Sequence, residues 1–280
     1  MANFHTDEWI MKQVQRHYDE ALKLFPADRI VGVFLQGSQN YGLDYEGSDI
    51  DTKCIVLPTL EDLIFNRKPV STTHVLDNDE HLDLKDVRLY MNTFRKQNLN
   101  FMEILFTKYK IVNPIYENYW NKLVENNEMI ARYNPAGAVK TMEGIAKEKY
   151  HAMEHKYPSK LDIIDKWGYD GKQLHHLIRV REYLNRYIDG QSYADCLISE
   201  VPDYLKEVKA LTKDGFYYDL DDARIIANTE LNLITQAAKE FSTAHAGDPV
   251  DKRVDALLDN VQRDIMKLAI ELEMGDKKYE

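Results

Sequence analysis

Cysteine is scarce in this chain: there are two among 280 residues, Cys54 and Cys196. They stand far apart and form neither a metal-ligand nor a redox spacing, so two reduced thiols in a cytoplasm are expected. No apolar run approaches the roughly twenty residues that a membrane-spanning helix needs, and no membrane partner is expected. The opening residues, Met1 to Glu8, lack a basic segment followed by an apolar core, so they do not read as a secretory leader. Zinc spacings of Cys and His, a Gly-x-Ser-x-Gly elbow, a Walker loop and a dinucleotide fingerprint are all missing. His151 and His155 are one helical turn apart, but Ala152 stands where a zincin carries its glutamate, and the pair reads as surface. There is no internal repeat and no low-complexity segment. A basic balance is missing too: 36 Lys and Arg face 47 Asp and Glu, a formal net charge of −11. Proteins that grip long duplex nucleic acid usually carry a basic stripe, so tracking along DNA is disfavoured, while a short RNA end in a local basic cleft is not.

What is present is an ordinary globular composition, 44% apolar and 30% charged, and one informative stretch. The apolar run Val33-Phe34-Leu35 ends in Gln36-Gly37-Ser38, a polar loop follows, and Gly47-Ser48-Asp49-Ile50-Asp51 opens a second apolar run, Ile55-Val56-Leu57. On a strand, residues i and i+2 share a face, so Asp49 and Asp51 are expected to present two carboxylates to one point. Two adjacent anions repel unless a cation lies between them, and Mg²⁺ favours oxygen ligands of this kind. Gly37 lets the backbone approach a ligand closely, and Ser38 offers a hydroxyl and an N–H to a phosphate. A phosphate cradle beside a metal dyad is the equipment of phosphoryl or nucleotidyl transfer.

This stretch resembles the signature of the DNA polymerase β-like nucleotidyltransferase superfamily: an apolar strand, Gly-Ser, a spacer, then Asp-x-Asp. The form Gly37-Ser38-Gln39-Asn40-Tyr41-Gly42, with its Gly-Ser-Asp-Ile-Asp ending, is most similar to a bacterial and phage branch associated with RNA repair. The resemblance implies a third carboxylate on a neighbouring strand and two divalent ions, Mg²⁺ or Mn²⁺. One ion would activate an acceptor hydroxyl and the other would hold the NTP triphosphate. Asp83 is the expected third acid, because His81-Leu82-Asp83-Leu84-Lys85 alternates as a strand does. Asp86 competes with it but precedes a helical pattern, Val87, Tyr90, Met91, Phe94, and so reads as an N-cap. Asp83 would take the acceptor proton or hold the alkoxide. Ser38 and the N–H groups around Gly37 would hold phosphates, and Ser48 would orient the dyad or cap its turn.

A second cluster, Lys172, His176 and Arg179, shares one helical face. Alone it is the solvated side of an amphipathic helix. The run from Lys172 to Val180 also resembles a Lys-x-x-x-His-x-x-Arg-Leu helix of the same branch, with Val180 in place of the final Leu. The resemblance places Lys172 and Arg179 on the triphosphate and leaves His176 to the base, the acceptor or a buried carboxylate. Asn98 to Leu105 resembles an Asn-Pro-Asn-x-x-Glu-x-Leu stretch more weakly, with Leu99 where Pro is usual. Gly144 to Lys147 is weaker still, with Glu143 and Lys147 reading as a surface ion pair. The likeness spans about residues 28 to 190.

The expected fold class is α+β: a polymerase-β-like nucleotidyltransferase sheet with helices over residues 1–113, then a helical bundle over 114–280. Helices are expected from Thr6 or Asp7 to Phe25 with Ile10, Val14, His17, Ala21 and Leu24 near one face, over 60–65 with Thr59 as its cap, over 99–106, and over 115–125, 135–155, 171–189, 202–212, 220–244 and 252–274, with glycines such as Gly215 between them and a short loose tail from Gly275. Strands are expected over 29–35, from the dyad to Pro58, over 81–85 and over 109–112, with 66–80 irregular. The function implied is transfer of an NMP from an NTP to an acceptor hydroxyl, first an RNA or tRNA 3′ end, then a protein or small molecule. A module on the same fold that binds nucleotide or a partner without catalysis is the alternative.

Overall fold

The computed structural model describes residues 3–210 and 218–276. The end of the helix expected over 202–212, Gly215 and the tail after Asp276 lie outside the described residues. The fold is mixed α+β, a five-stranded sheet with helices followed by a largely helical part. The chain divides into two compact units. The first comprises residues 1–40, 44–134 and 250–280, and the second 41–43 and 135–249.

In the first unit, α1 (Asp7–Leu24) starts where the Thr6 hydroxyl accepts the Trp9 N–H, and it buries Ile10, Val14, His17 and Ala21 at helical spacing. Leu24, expected on that face, is exposed at the last position. The chain continues through β1 (Ile30–Gln36), β2 (Asp51–Val56), α2 (Leu60–Ile64), β3 (Ser71–Val75), β4 (His81–Asp86), α3 (Val87–Arg95), α4 (Leu99–Met102), β5 (Lys110–Val112), α5 (Glu117–Val124) and α6 (Asn127–Ala131). The strand order is β3-β4-β2-β1-β5, with β2 and β4 parallel and the other neighbours antiparallel.

Period-two alternation gives the sheet two unlike faces. Val33, Leu35, Cys54, Val56, Leu82 and Leu84 pack with Ile10 and Val14 of α1 in one apolar core. Burial raises the Cys54 thiol pKa. The other face carries Phe34, packed against Trp120 with ring centroids 4.2 Å apart and the planes tilted by 37°, and then a row of polar and charged groups. Gly32 is required by space here: a Cβ at that position would lie 2.7 Å from the Ile111 carbonyl oxygen.

Caps read from the sequence are in place. Thr59 and Asp62 form a capping box on α2, and the Asp86 carboxylate accepts the Arg88 N–H at the start of α3. β3 corrects the expectation of an irregular stretch over 66–80. Ser71-Thr72-Thr73-His74-Val75 is a β-branched edge strand with both faces largely open to solvent, so it shows no apolar alternation. The helix expected over 99–106 stops at Met102 and tightens into a 3₁₀ turn, Glu103–Leu105. The final helix, α13 (Lys252–Asp276), packs on α3 and α5. Arg95 bonds to Asp255 and Asp259, and the Tyr133 hydroxyl to Asp255.

The second unit holds α7 (Pro135–Ala152), α8 (Leu161–Trp167), α9 (Gly171–Ile188), α10 (Tyr193–Leu197), α11 (Pro202–Ala210) and α12 (Leu220–Ala244). α9 contacts α7, α10, α11 and α12. α6, α8 and α10 are too short to show a periodicity in sequence. The expected cut after residue 113 differs from the compact units, because α5, α6 and α13 pack with the sheet. No helix among the described residues is long and apolar enough to cross a membrane.

Candidate active site

At the end of β1 the backbone turns sharply. Gly37 takes φ +103°, a conformation that an L side chain rarely adopts even though the space beside it is open. Ser38 begins a 3₁₀ turn, Ser38–Asn40, and its hydroxyl bonds to no other described residue. The turn is braced by side chains. Gln39 Nε2 donates to the Asp49 carbonyl at 2.9 Å, while Asn40 Nδ2 donates to the Leu35 carbonyl and its Oδ1 accepts the Thr107 hydroxyl. Asp44 anchors the preceding chain, accepting the backbone N–H groups of Phe4 and His5.

The two acids of the Asp-Ile-Asp stretch part company. β2 begins at Asp51, so Asp49 stands ahead of the strand, exposed in the loop that follows the turn at residues 46–47. Ser48 is buried and closes that turn, its Oγ accepting the Tyr45 N–H at 3.0 Å. Its hydroxyl therefore shapes the approach to the acids.

Asp51 pairs in register with Gln36, which sets it beside the Gly37 turn. Because β2 and β4 run parallel with Lys53 opposite Asp83, Asp51 and Asp83 share the polar face of the sheet. They line one cleft of about 420 Å³ with Gln36, Thr73, Val75 and His81. Asp51 Oδ1 accepts the His81 N–H at 3.0 Å. Asp83 Oδ1 accepts the Thr73 hydroxyl at 2.6 Å, and its Oδ2 accepts from the Lys53 ammonium at 3.3 Å. The two carboxylates are 40% and 34% exposed, whereas Lys53 is 2% exposed. Desolvation lowers the Lys53 pKa, opposed by the charge and hydrogen bond of Asp83. The Lys53 and Lys85 ammoniums lie 4.1 and 4.0 Å from the centroid of the Phe101 ring.

Asp86, the competitor for third acid, is committed to the α3 cap and to the Arg88 guanidinium. Among the described residues, no three His, Cys, Asp or Glu side chains are grouped closely enough to hold a metal ion. Two carboxylates on neighbouring strands still suit Mg²⁺, which is held by one or two carboxylates together with water and substrate phosphates. The donor chemistry of Asp51 and Asp83 therefore fits such an ion.

In the second unit, Lys172, His176 and Arg179 lie on α9, whose N-cap Asp170 accepts the Lys172 N–H at 2.9 Å. The Arg179 guanidinium stacks on Tyr41, 3.6 Å from the ring centroid, and donates to the Leu197 carbonyl. Desolvation, then the charge of neighbouring His175, Arg179 and Lys172, pulls the His176 pKa well below the usual range. Its neighbour His175 is buried with Nδ1–H on the Leu205 carbonyl at 2.7 Å, and burial lowers its pKa to about 3. Glu143 and Lys147 form the surface ion pair expected of them.

Sequence reading missed Lys53, Thr73, His81 and Gln36. Lys53 had a usable signal, since it lies two residues beyond Asp51 and must share its face. Thr73 and His81 had none, because each depends on a strand pairing.

No family model matches the chain, and no curated protein matches it. Among solved structures it is similar to a nucleotidyltransferase-like protein from Exiguobacterium sibiricum 255-15. The identity is 12% over 82% of this chain and 75% of that one, with a TM-score of 0.31. A likeness at that score assigns no activity to this chain.

Proposed function

We propose that the chain is a divalent-metal-dependent nucleotidyltransferase that moves an NMP from an NTP to an acceptor hydroxyl. One observation carries this reading: the Gln36–Asp51 and Lys53–Asp83 register sets two carboxylates in one cleft beside the Gly37–Ser38 turn. Asp51 and Asp83 are the residues that would hold Mg²⁺ or Mn²⁺. The ion, when bound, supplies positive charge against the phosphates and acidifies an acceptor hydroxyl. Ser38 would donate its hydroxyl to a phosphate oxygen, and the backbone N–H groups around Gly37 would bind the same anion. Asp83 would accept the acceptor proton and become neutral, the Lys53 ammonium balancing its charge before that transfer.

The acceptor we put first is an RNA 3′ end such as that of a tRNA, ahead of a protein or small-molecule hydroxyl. A non-catalytic nucleotide- or partner-binding module is the second reading, favoured by Lys53, whose ammonium already balances Asp83. The test incubates the protein with each labelled NTP, Mg²⁺ or Mn²⁺, and total RNA or cell lysate, and asks where the label goes. Transfer to RNA that vanishes in the Asp49→Ala, Asp51→Ala double variant supports the reading. Transfer that survives that variant overturns the mechanism, and absence of transfer to any acceptor favours the binding module.

A further inference from the structure

Behind the acid cleft, on the apolar side of the sheet, lies a buried polar network for which the reaction scheme above has no use. Glu80, immediately before β4, is 7% exposed. Its Oε1 accepts the backbone N–H of Ile50, the residue between the two acids, at 3.2 Å. Its Oε2 accepts from His17 Nε2 at 3.0 Å and from Arg16. A carboxylate can only accept, so Nε2 carries the hydrogen, which leaves His17 Nδ1 facing the Thr52 hydroxyl at 2.8 Å. Ile50 and Thr52 flank Asp51, and both are buried on the core side. The next residue after Glu80 completes the arrangement, because the His81 N–H donates to Asp51 itself. The dipeptide Glu80-His81 thus grips the stretch twice, at the Ile50 N–H and at the Asp51 carboxylate.

We infer that Glu80, through Ile50 and through His17 and Thr52, is the positioning group that fixes where Asp51 points. The inference rests on Asp51 being a metal ligand, as proposed above. An ionised carboxylate in an apolar layer is costly unless its partners compensate for lost water, and apolar replacements often serve stability equally well. Desolvation alone would raise the Glu80 pKa, yet hydrogen bonds from His17, Asn78 and Ile50 and the charge of Arg16 hold it at about 2. The group therefore stays anionic, with its hydrogen bonds aimed at the backbone that carries Asp51. Residues behind metal ligands fix ligand orientation in this manner, and their loss weakens metal affinity or activity by roughly 10- to 100-fold.

The test compares full-length wild type with Glu80→Gln, Thr52→Val, Thr52→Ser and Val14→Ala. Mn²⁺ binding in the presence of ATP is followed by loss of the free-ion EPR signal, and Tm is measured alongside. Val14 lies on the same face of α1 but outside the network, so its variant reports what loss of stability alone does. Glu80→Gln and Thr52→Val are expected to weaken Mn²⁺ binding by roughly 10-fold or more, with Thr52→Ser restoring it and Val14→Ala leaving it unchanged. Wild-type binding that both network variants preserve, or lose only in step with Tm as Val14→Ala does, overturns the inference alone. A wild type that binds no Mn²⁺ overturns the functional reading and this inference with it.

Discussion

The two faces of the central sheet are made by the same strands and do opposite things. Along β2, Thr52, Cys54 and Val56 turn toward α1, while Asp51 and Lys53 turn toward the cleft. The apolar face gains stability by excluding water. The polar face keeps like charges close together and holds a lysine at 2% exposure against a single carboxylate. A β-strand cannot serve one face without committing the other, so a one-residue slip in β2 would send the acids into the core. Register is thus the link between stability and chemistry in this protein.

The contrast can be broken from either side. The largest effect is expected from Asp51→Ala on the polar face: a fall in labelled NMP transfer on the order of a thousandfold, with thermal unfolding little changed. On the apolar face, Ile10→Ala removes a fully buried side chain. It is expected to cost about 2–5 kcal/mol in denaturant unfolding while the folded fraction keeps its transfer rate.

Acid unfolding sharpens the comparison, because Glu80 is the anion on the apolar side. Its folded pKa of about 2 lies below the ordinary 4.5. Its contribution is therefore fully present above about pH 4.5 and is lost as the pH falls through about 2, roughly 3 kcal/mol in total. Stability curves from pH 6 to 2 should show this acid limb in wild type and a shallower one in Glu80→Gln. The smallest effect is expected from Lys53→Met. It removes a buried ammonium and leaves Asp83 bonded to Thr73, so unfolding free energy should shift by less than about 1 kcal/mol. A large loss of stability there would mean that the polar face also holds the fold together.

What could be read ahead of the structure was local. Thr6, Thr59 and Asp86 announce helix starts because a capping side chain bonds to backbone only a few residues away. The Gly37 turn is written in its own residue type. β3 escaped because an edge strand open on both faces has no alternation to detect. Asp49 was placed on a strand by periodicity, but β2 starts only at Asp51. Lys53 follows Asp51 at i+2, but its meeting with Asp83, like that of His81 with Asp51, depends on a parallel pairing of strands thirty residues apart in sequence, and Thr73 reaches Asp83 through the antiparallel β3–β4 pairing; nothing local encodes either pairing. His17 was legible as a buried position on α1. Its bond to Glu80, 63 residues away, was not.

The last helix has a consequence for the order in which the molecule is made. α13 belongs with the sheet unit, packing on α3 and α5, and its Glu273 carboxylate accepts the Leu60 N–H at 2.9 Å. Between α6 and α13 the ribosome must first deliver the whole second unit, residues 135–249. The helical unit can therefore close on itself while the sheet, synthesised earlier, still waits for its final partner. A chain that stalls after residue 249 would hold the cleft residues Asp51 and Asp83 on a sheet without the packing of α13 on α3 and α5.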